Sequence, residues 1–347
     1  MKAIPKKYQN TAADWRELSD RELLGLRICD LPLRIEGTPL QGRVARLYEE
    51  LNDRGLDFRP HVWLGEEWFT PDGVPGIAIA FYLADPRLMK LERKMMLEVE
   101  GGTDRECMRI LRHEAGHAIS NAYNFHKRRR WRELFGSFTK PYPDFYEPDP
   151  DSRNHVLHLN AWYAQAHPAE DFAETFAVWL APGSRWRHRY AGWAALEKLE
   201  YVDHLMKEII RTPPKNSSRR VVEPIAEVNL TLEEHYRHKR EHYALHWLPF
   251  YDNDLRRIFS NDPRHAAYPT AANFLRRVRR DVRHEVAEAT GAHHYTVDQL
   301  LKDLIDRARA LRLRVATDEE HARSRVMMML AVQTMNIVHK GYHRIPL

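Results

Sequence analysis

Residues 103–123 read TDRECMRILRHEAGHAISNAY and have the pattern of one long helix. Thr103 and Glu106 have the spacing of a capping box, in which each side chain bonds the backbone N–H of the other residue. Apolar residues then recur at helical spacing, as at Met108, Leu111 and Ala115. We therefore predict a helix that begins near Thr103 and buries one broad apolar face.

Two histidines and a glutamate on this helix predict a metal site. His113 and His117 are four residues apart, so both imidazoles face the same way and can bind one zinc ion. Glu114 lies beside them and can act as the catalytic base, taking a proton from zinc-bound water whose pKa the metal lowers toward about 7. The chain has 20 histidines, so the alternative is an exposed helix face that carries two of them by chance.

A third ligand is expected from residues 167–177, which read HPAEDFAETFA. Catalytic zinc sites use three protein ligands and keep one position open. Glu170 and Glu174 are again four apart, so one can bind the metal while the other hydrogen-bonds a ligand histidine. Their helix is otherwise apolar, and carboxylates at its edge need partners. We predict Glu170 as the ligand, with His167 and Asp171 as the alternatives.

The HEAGH and AEDFAETF segments resemble the HExxH…E metallopeptidases called gluzincins, over roughly residues 70–185. The pattern is most similar to the catalytic domain of anthrax lethal factor and to bacterial proteins described as zinc-binding metallopeptidases. The resemblance implies that Glu170 binds zinc and that Glu174 supports the site. It also implies that Tyr163, seven residues before Glu170, donates a hydrogen bond to the oxyanion. Its alternative role is that of a packed aromatic residue. The proline-rich segment 141–151 departs from the family pattern and can shape the cleft differently.

The predicted fold is α+β, with a zincin-like catalytic domain built from a small sheet and the active-site helices. We predict helices over 41–52 and 168–180 and strands over 60–64 and 76–83. The second strand precedes the zinc helix, so an extended peptide could pair with its edge.

The rest of the chain is expected to form a second domain. The catalytic domain with an N-terminal extension is assigned to residues 1–211, a polar linker rich in helix breakers to 212–224, and a helical accessory domain to 225–347. We expect roughly four helices in the accessory domain. Three pairs there have capping-box spacing: Thr231/Glu234, Thr296/Gln299 and Thr317/Glu320.

Composition limits the class of protein and its compartment. Two cysteines cannot build a disulfide framework, and there is neither a signal peptide nor a run of roughly 20 apolar residues, so we expect a cytoplasmic protein. A net charge of +5 on 347 residues does not by itself favour nucleic-acid binding. The pairs His155/His158 and His293/His294 have no ligand set of suitable spacing around them, and we interpret them as surface or hydrogen-bonding residues.

The sequence thus predicts a zinc peptidase that hydrolyses peptide or related amide bonds in a peptide or protein substrate. The helical domain could select one protein target. The alternative is a regulatory or nucleic-acid-binding protein with a structural or degenerate zinc site.

Overall fold

The computed structural model describes residues 15–143, 146–243 and 252–339. These residues fall into two compact units. The first unit comprises residues 15–142 and 151–239, and the second comprises the described parts of 143–150 and 240–347. The HEAGH motif and residues 167–177 both lie in the first unit.

The first unit combines one small sheet with many helices. Strands β1 (His61–Gly65) and β2 (Gly76–Ala80) pair in parallel, with His61 opposite Gly76 and Gly65 opposite Ala80. The α+β prediction is confirmed, with a mostly helical character. The elements in chain order are α1 (Asp20–Leu24), α2 (Pro39–Asp53), β1 (His61–Gly65), β2 (Gly76–Ala80), α3 (Pro86–Met96), α4 (Asp104–Tyr123), α5 (Arg129–Phe135), α6 (Pro168–Leu180), α7 (Trp186–Arg189), α8 (Ala195–Ile209) and α9 (Leu232–Tyr243). The division between the two units falls within α9.

Strand β2 is shorter than predicted and is not an open edge. All five of its residues are buried, and the chain turns into a 3-10 helix at Phe81–Ala84. β1 pairs along one side of β2, and on the other side Ala78 exchanges two backbone hydrogen bonds with Phe69. The expectation that a peptide pairs with β2 is therefore wrong for its central residue, because both sides of Ala78 are already occupied.

Helix α4 begins as its sequence predicts. The Thr103 hydroxyl accepts from the Glu106 N–H, and the Glu106 carboxylate accepts from the Thr103 N–H. The helix ends at Asn124 in the left-handed conformation. A buried ion pair ties it to α2, since the Arg112 guanidinium donates two hydrogen bonds to the Glu50 carboxylate, at 2.6 and 2.7 Å. The capped start and the buried ion pair fix the position of α4 and therefore of its HEAGH motif.

Helices α4 and α6 pack in direct contact because one position on α4 has no side chain. A Cβ at Gly116 would lie 2.8 Å from the Cα of Ala173 and 3.0 Å from its carbonyl oxygen. All of α6 after its first residue is buried, including its charged residues. The close approach brings His113 and His117 of α4 next to Glu170 of α6.

The second unit is mostly helical in its described residues. Buried aliphatic and aromatic side chains such as Phe274, Leu301 and Val326 form one core. The helices that fall wholly on this unit's side of the division are α10 (Asp252–Ile258), α11 (Ala271–Thr290), α12 (His294–Ala310) and α13 (Glu319–His339), as far as the described residues show.

The segment predicted as a linker, 212–224, contains no helix or strand and belongs to the first unit. It is held there by hydrogen bonds. The Asn216 side chain donates to the Gly73 carbonyl at 2.7 Å, and the Trp63 indole donates to the Val222 carbonyl at 3.0 Å. The division between the two units falls between Lys239 and Arg240.

Among the described helices, none is both long enough and apolar enough to cross a membrane.

Candidate metal centre

Three side chains from α4 and α6 converge on one point. The Nε2 atoms of His113 and His117 lie 3.1 Å apart, and the Oε2 atom of Glu170 lies 3.0 Å from the first and 3.1 Å from the second. Zinc bonds of 2.0–2.1 Å in a tetrahedral site require about 3.3 Å between ligand atoms. His113, His117 and Glu170 therefore fit a zinc ion with almost no movement, and they could form a zinc site.

Glu174 fixes the ring of His113 from behind. The His113 Nδ1–H donates to Glu174 Oε1 at 2.8 Å, so Nε2 is the nitrogen that faces Glu170 and His117 and that a metal could bind once it is deprotonated. The other oxygen of Glu174 accepts from the Leu159 N–H at 2.7 Å. Glu174 is completely buried. It thus hydrogen-bonds His113, one of the three residues that could hold a metal ion.

The electrostatics of the cluster favour a cation. Burial alone would raise the pKa of the Glu170 carboxyl, but His117 and His113 hold it well below its ordinary value. Burial likewise opposes the charged form of His113, yet Glu170 and Glu174 raise its pKa well above the usual range. The two ionised carboxylates beside the imidazoles are therefore stabilised by nearby positive charge, and a divalent ion would supply that charge.

Glu114 is buried beside this cluster with an unsatisfied oxygen. Its side chain is on α4, one residue after His113, and the residue is only 7% exposed. Its Oε2 atom has no hydrogen-bond partner among the described residues. The Thr70 hydroxyl donates to its backbone carbonyl at 3.3 Å. A buried carboxylate oxygen without a partner is costly, and a catalytic role is one reason for a protein to retain it.

Tyr163 lies next to the cluster, with its ring centroid 5.6 Å from that of His113. It begins a 3-10 helix that follows two residues in the left-handed conformation, Ala161 at φ 56° and Trp162 at φ 53°. Neither is a glycine, so each costs about 1 kcal/mol or more in backbone strain. Strain of this kind is retained where the surrounding structure requires one orientation of the chain.

The two alternative ligands are engaged elsewhere. His167 is the N-cap of α6, since its Nδ1 accepts from the Ala169 N–H at 3.1 Å and its Nε2–H donates to the Lys140 carbonyl at 2.7 Å. Burial lowers the pKa of His167, which favours this neutral ring. Asp171 forms a buried ion pair with the Lys198 ammonium at 2.6 Å.

Sequence reasoning missed Tyr142. Its hydroxyl donates to the Oε1 atom of Glu170 at 2.8 Å, and its ring stacks on His167 with the centroids 3.9 Å apart. Tyr142 lies in the proline-rich segment, where neither periodicity nor a motif marks it. The only signal was the departure of that segment from the family pattern.

The remaining histidine pairs differ from each other. The His158 ring bonds the Arg109 carbonyl at 3.0 Å, and His155 contacts the Ser152 hydroxyl at 3.3 Å, so both fit the predicted hydrogen-bonding role. The interpretation of His294 was incomplete. Its ring lies with His284 and Glu288 in a second group that could hold a metal ion. The sequence did not reveal this group because its members come from two different helices.

Comparison with known proteins gives one match. A family model described as "Putative zinc-binding metallo-peptidase" matches residues 69–184. Searches of curated proteins and of solved structures found no match, so no comparison links the chain to anthrax lethal factor. The matched region contains the HEAGH motif, Tyr142, Tyr163 and all of α6. Residues 69–184 thus match a family whose description names a zinc-binding metallo-peptidase. Within these residues, a zinc ion could be held by His113, His117 and Glu170.

Proposed function

We propose that this chain is a zinc-dependent peptidase that hydrolyses peptide or related amide bonds. The observation that carries the proposal is the convergence of the His113, His117 and Glu170 ligand atoms within 3.1 Å of one another. The unpartnered Oε2 atom of Glu114 beside them supports a catalytic rather than a purely structural site.

Zinc bound there would supply Lewis acidity, polarising the scissile carbonyl and acidifying water. Glu114 Oε2 takes the proton from the attacking water and returns it to the leaving amine. Glu174 keeps the His113 ring in one tautomer. The Tyr163 hydroxyl donates to the oxyanion that forms from the carbonyl.

The backbone beside the site supports an extended peptide as the substrate. Phe69 uses its own N–H and C=O to pair with Ala78. The N–H and C=O groups of its neighbours Trp68 and Thr70 make no hydrogen bond within the described residues, and Thr70 is in contact with Glu114. An extended peptide that paired with residues 68–70 would run beside the catalytic base.

The test compares the zinc-loaded chain with its Glu114→Gln variant on a proteome-derived peptide library, with new termini identified by mass spectrometry. We expect Glu114→Gln to keep one zinc at this site and to lose cleavage by about 10³-fold or more, because an amide cannot act as the base. Glu200→Gln, an exposed change on α8, is the matched control and should cleave like the original chain.

Two results would contradict the proposal. Equal cleavage by Glu114→Gln would assign the activity to a contaminant or to another base. Absence of new termini with the zinc-loaded chain would argue against a peptidase.

Glu170→Gln should weaken zinc binding, since an amide oxygen is a poorer ligand than a carboxylate.

A further inference from the structure

A second group of metal-ligating side chains lies at the surface of the second unit. His284 and Glu288 are four residues apart near the end of α11, and His294 is the first residue of α12. Each offers a ligand atom, and the three atoms lie within 4.8 Å of one another. The rings of His284 and His294 are stacked, with their centroids 5.7 Å apart.

The fold, rather than a flexible loop, holds these side chains together. Helix α11 ends at Gly291 in the left-handed conformation, with its N–H bonded to the Ala287 carbonyl at 2.8 Å. Helix α12 then begins after His293, whose Nδ1 accepts from the Tyr295 N–H at 3.0 Å. The two helices pack on each other through buried residues of one core. The positions of the three backbones are therefore fixed before any ligand binds.

The charges around the group favour a cation at this point. Glu288 makes no ion pair or hydrogen bond within the described part of the chain. The side chains of Arg279, Arg283 and Lys302 form ion pairs with Asp298 instead. The Glu288 carboxylate thus lies beside two imidazoles and forms no ion pair with a described lysine or arginine.

We propose that His284, Glu288 and His294 bind a divalent transition-metal ion and clamp the end of α11 to the start of α12. Two imidazoles and one carboxylate suit Zn²⁺, Ni²⁺ or Cu²⁺, whereas Ca²⁺ and Mg²⁺ prefer all-oxygen sites. Tetrahedral binding needs ligand atoms about 3.3 Å apart, so the side chains must close by up to about 1.5 Å. His284 and Glu288 are exposed and can turn that far.

Counting bound zinc tests the proposal on the full chain. The metal-free protein is dialysed against buffered Zn²⁺, and the bound metal per chain is measured. The double variant His284→Ala with Glu288→Gln should bind one equivalent fewer than the original chain. The exposed His321→Ala change in the same unit is the control and should bind as many ions as the original chain. Equal stoichiometry in the original chain and the double variant would overturn the proposal.

Hydrogen exchange separates this site from the first one. In Glu170→Gln, zinc at about 100 times the Kd of the second site should slow exchange over residues 284–297 by up to about 100-fold. Adding the double change should abolish that protection. Unchanged exchange in these residues on zinc addition would also overturn the clamp, whatever the first site does.

Discussion

At the scale of single residues, Tyr142 donates a hydrogen bond to the second oxygen of Glu170, which we propose as a metal ligand. Burial and the Glu170 charge raise the pKa of the Tyr142 phenol, so it remains a donor. Tyr142→Phe removes one hydrogen bond with little change of shape. We expect a zinc affinity about 10-fold lower, as is typical for lost outer-shell partners of a metal ligand. Competition with a chromophoric chelator measures the affinity.

The control for this prediction is Tyr268→Phe, which removes an exposed hydroxyl from the second unit and should leave the affinity of the first site unchanged. If Tyr142→Phe binds zinc at that site as tightly as the original chain, the bond to Glu170 has no role in positioning the ligand. A matching loss in both variants would point to a general change in the protein instead.

At the scale of elements, the contact of α4 with α6 depends on Gly116. Alanine is the better helix former by about 1 kcal/mol, but its Cβ would meet the Ala173 backbone at 2.8 Å. We expect Gly116→Ala to lower the free energy of unfolding by about 1–3 kcal/mol, because the helices must move apart. Gly42→Ala, at the exposed fourth position of α2 with nothing within 4 Å of the new Cβ, should instead stabilise by about 0.5–1 kcal/mol. Urea unfolding measures both, and a stabilising Gly116→Ala would contradict the packing argument.

The same scale shows which elements the sequence could predict. Helix α6 has the predicted bounds, and α4 and α9 begin with the predicted capping boxes, because caps and periodicity are local. Two other capping boxes were wrong. The Thr296 hydroxyl is buried and donates to the Tyr243 carbonyl, while His293 caps α12. Asp318, rather than Thr317, caps α13. A tertiary contact engages Thr296, whereas the cap of α13 differs from the prediction by one residue and is local. Tertiary contacts also decided the place of Tyr142 and of the His284 group.

At the scale of the whole molecule, buried clusters of charge in both units make stability depend on pH. In the first unit, the Lys239 ammonium lies 2.8 Å from Glu67 and 3.0 Å from the buried Glu92. In the second unit, buried Asp298 binds Arg279 at 2.7 Å and Arg283 at 3.3 Å. Breaking either cluster would leave a buried charge without its partner.

Acid should therefore destabilise the second unit through Asp298. Burial alone would raise the pKa of its carboxyl, but Arg279 and the neighbouring cations hold it below the ordinary 3.8. Because the pKa of Asp298 is lower in the folded state than in the unfolded chain, its charge stabilises the unit above pH 3.8. This stabilisation is lost as the pH falls through the pKa of the folded state.

We expect Asp298→Asn to lower the free energy of unfolding by about 1–3 kcal/mol at pH 7. The loss is smaller than for a fully buried pair, because Arg279 is partly exposed. The cost should shrink below pH 4. Hydrogen exchange over α11 and α12, corrected for the intrinsic effect of pH, measures it, with the exposed Asp281→Asn as the control. A cost that stayed constant from pH 7 to pH 3 would mean that the Asp298 charge does not stabilise the unit.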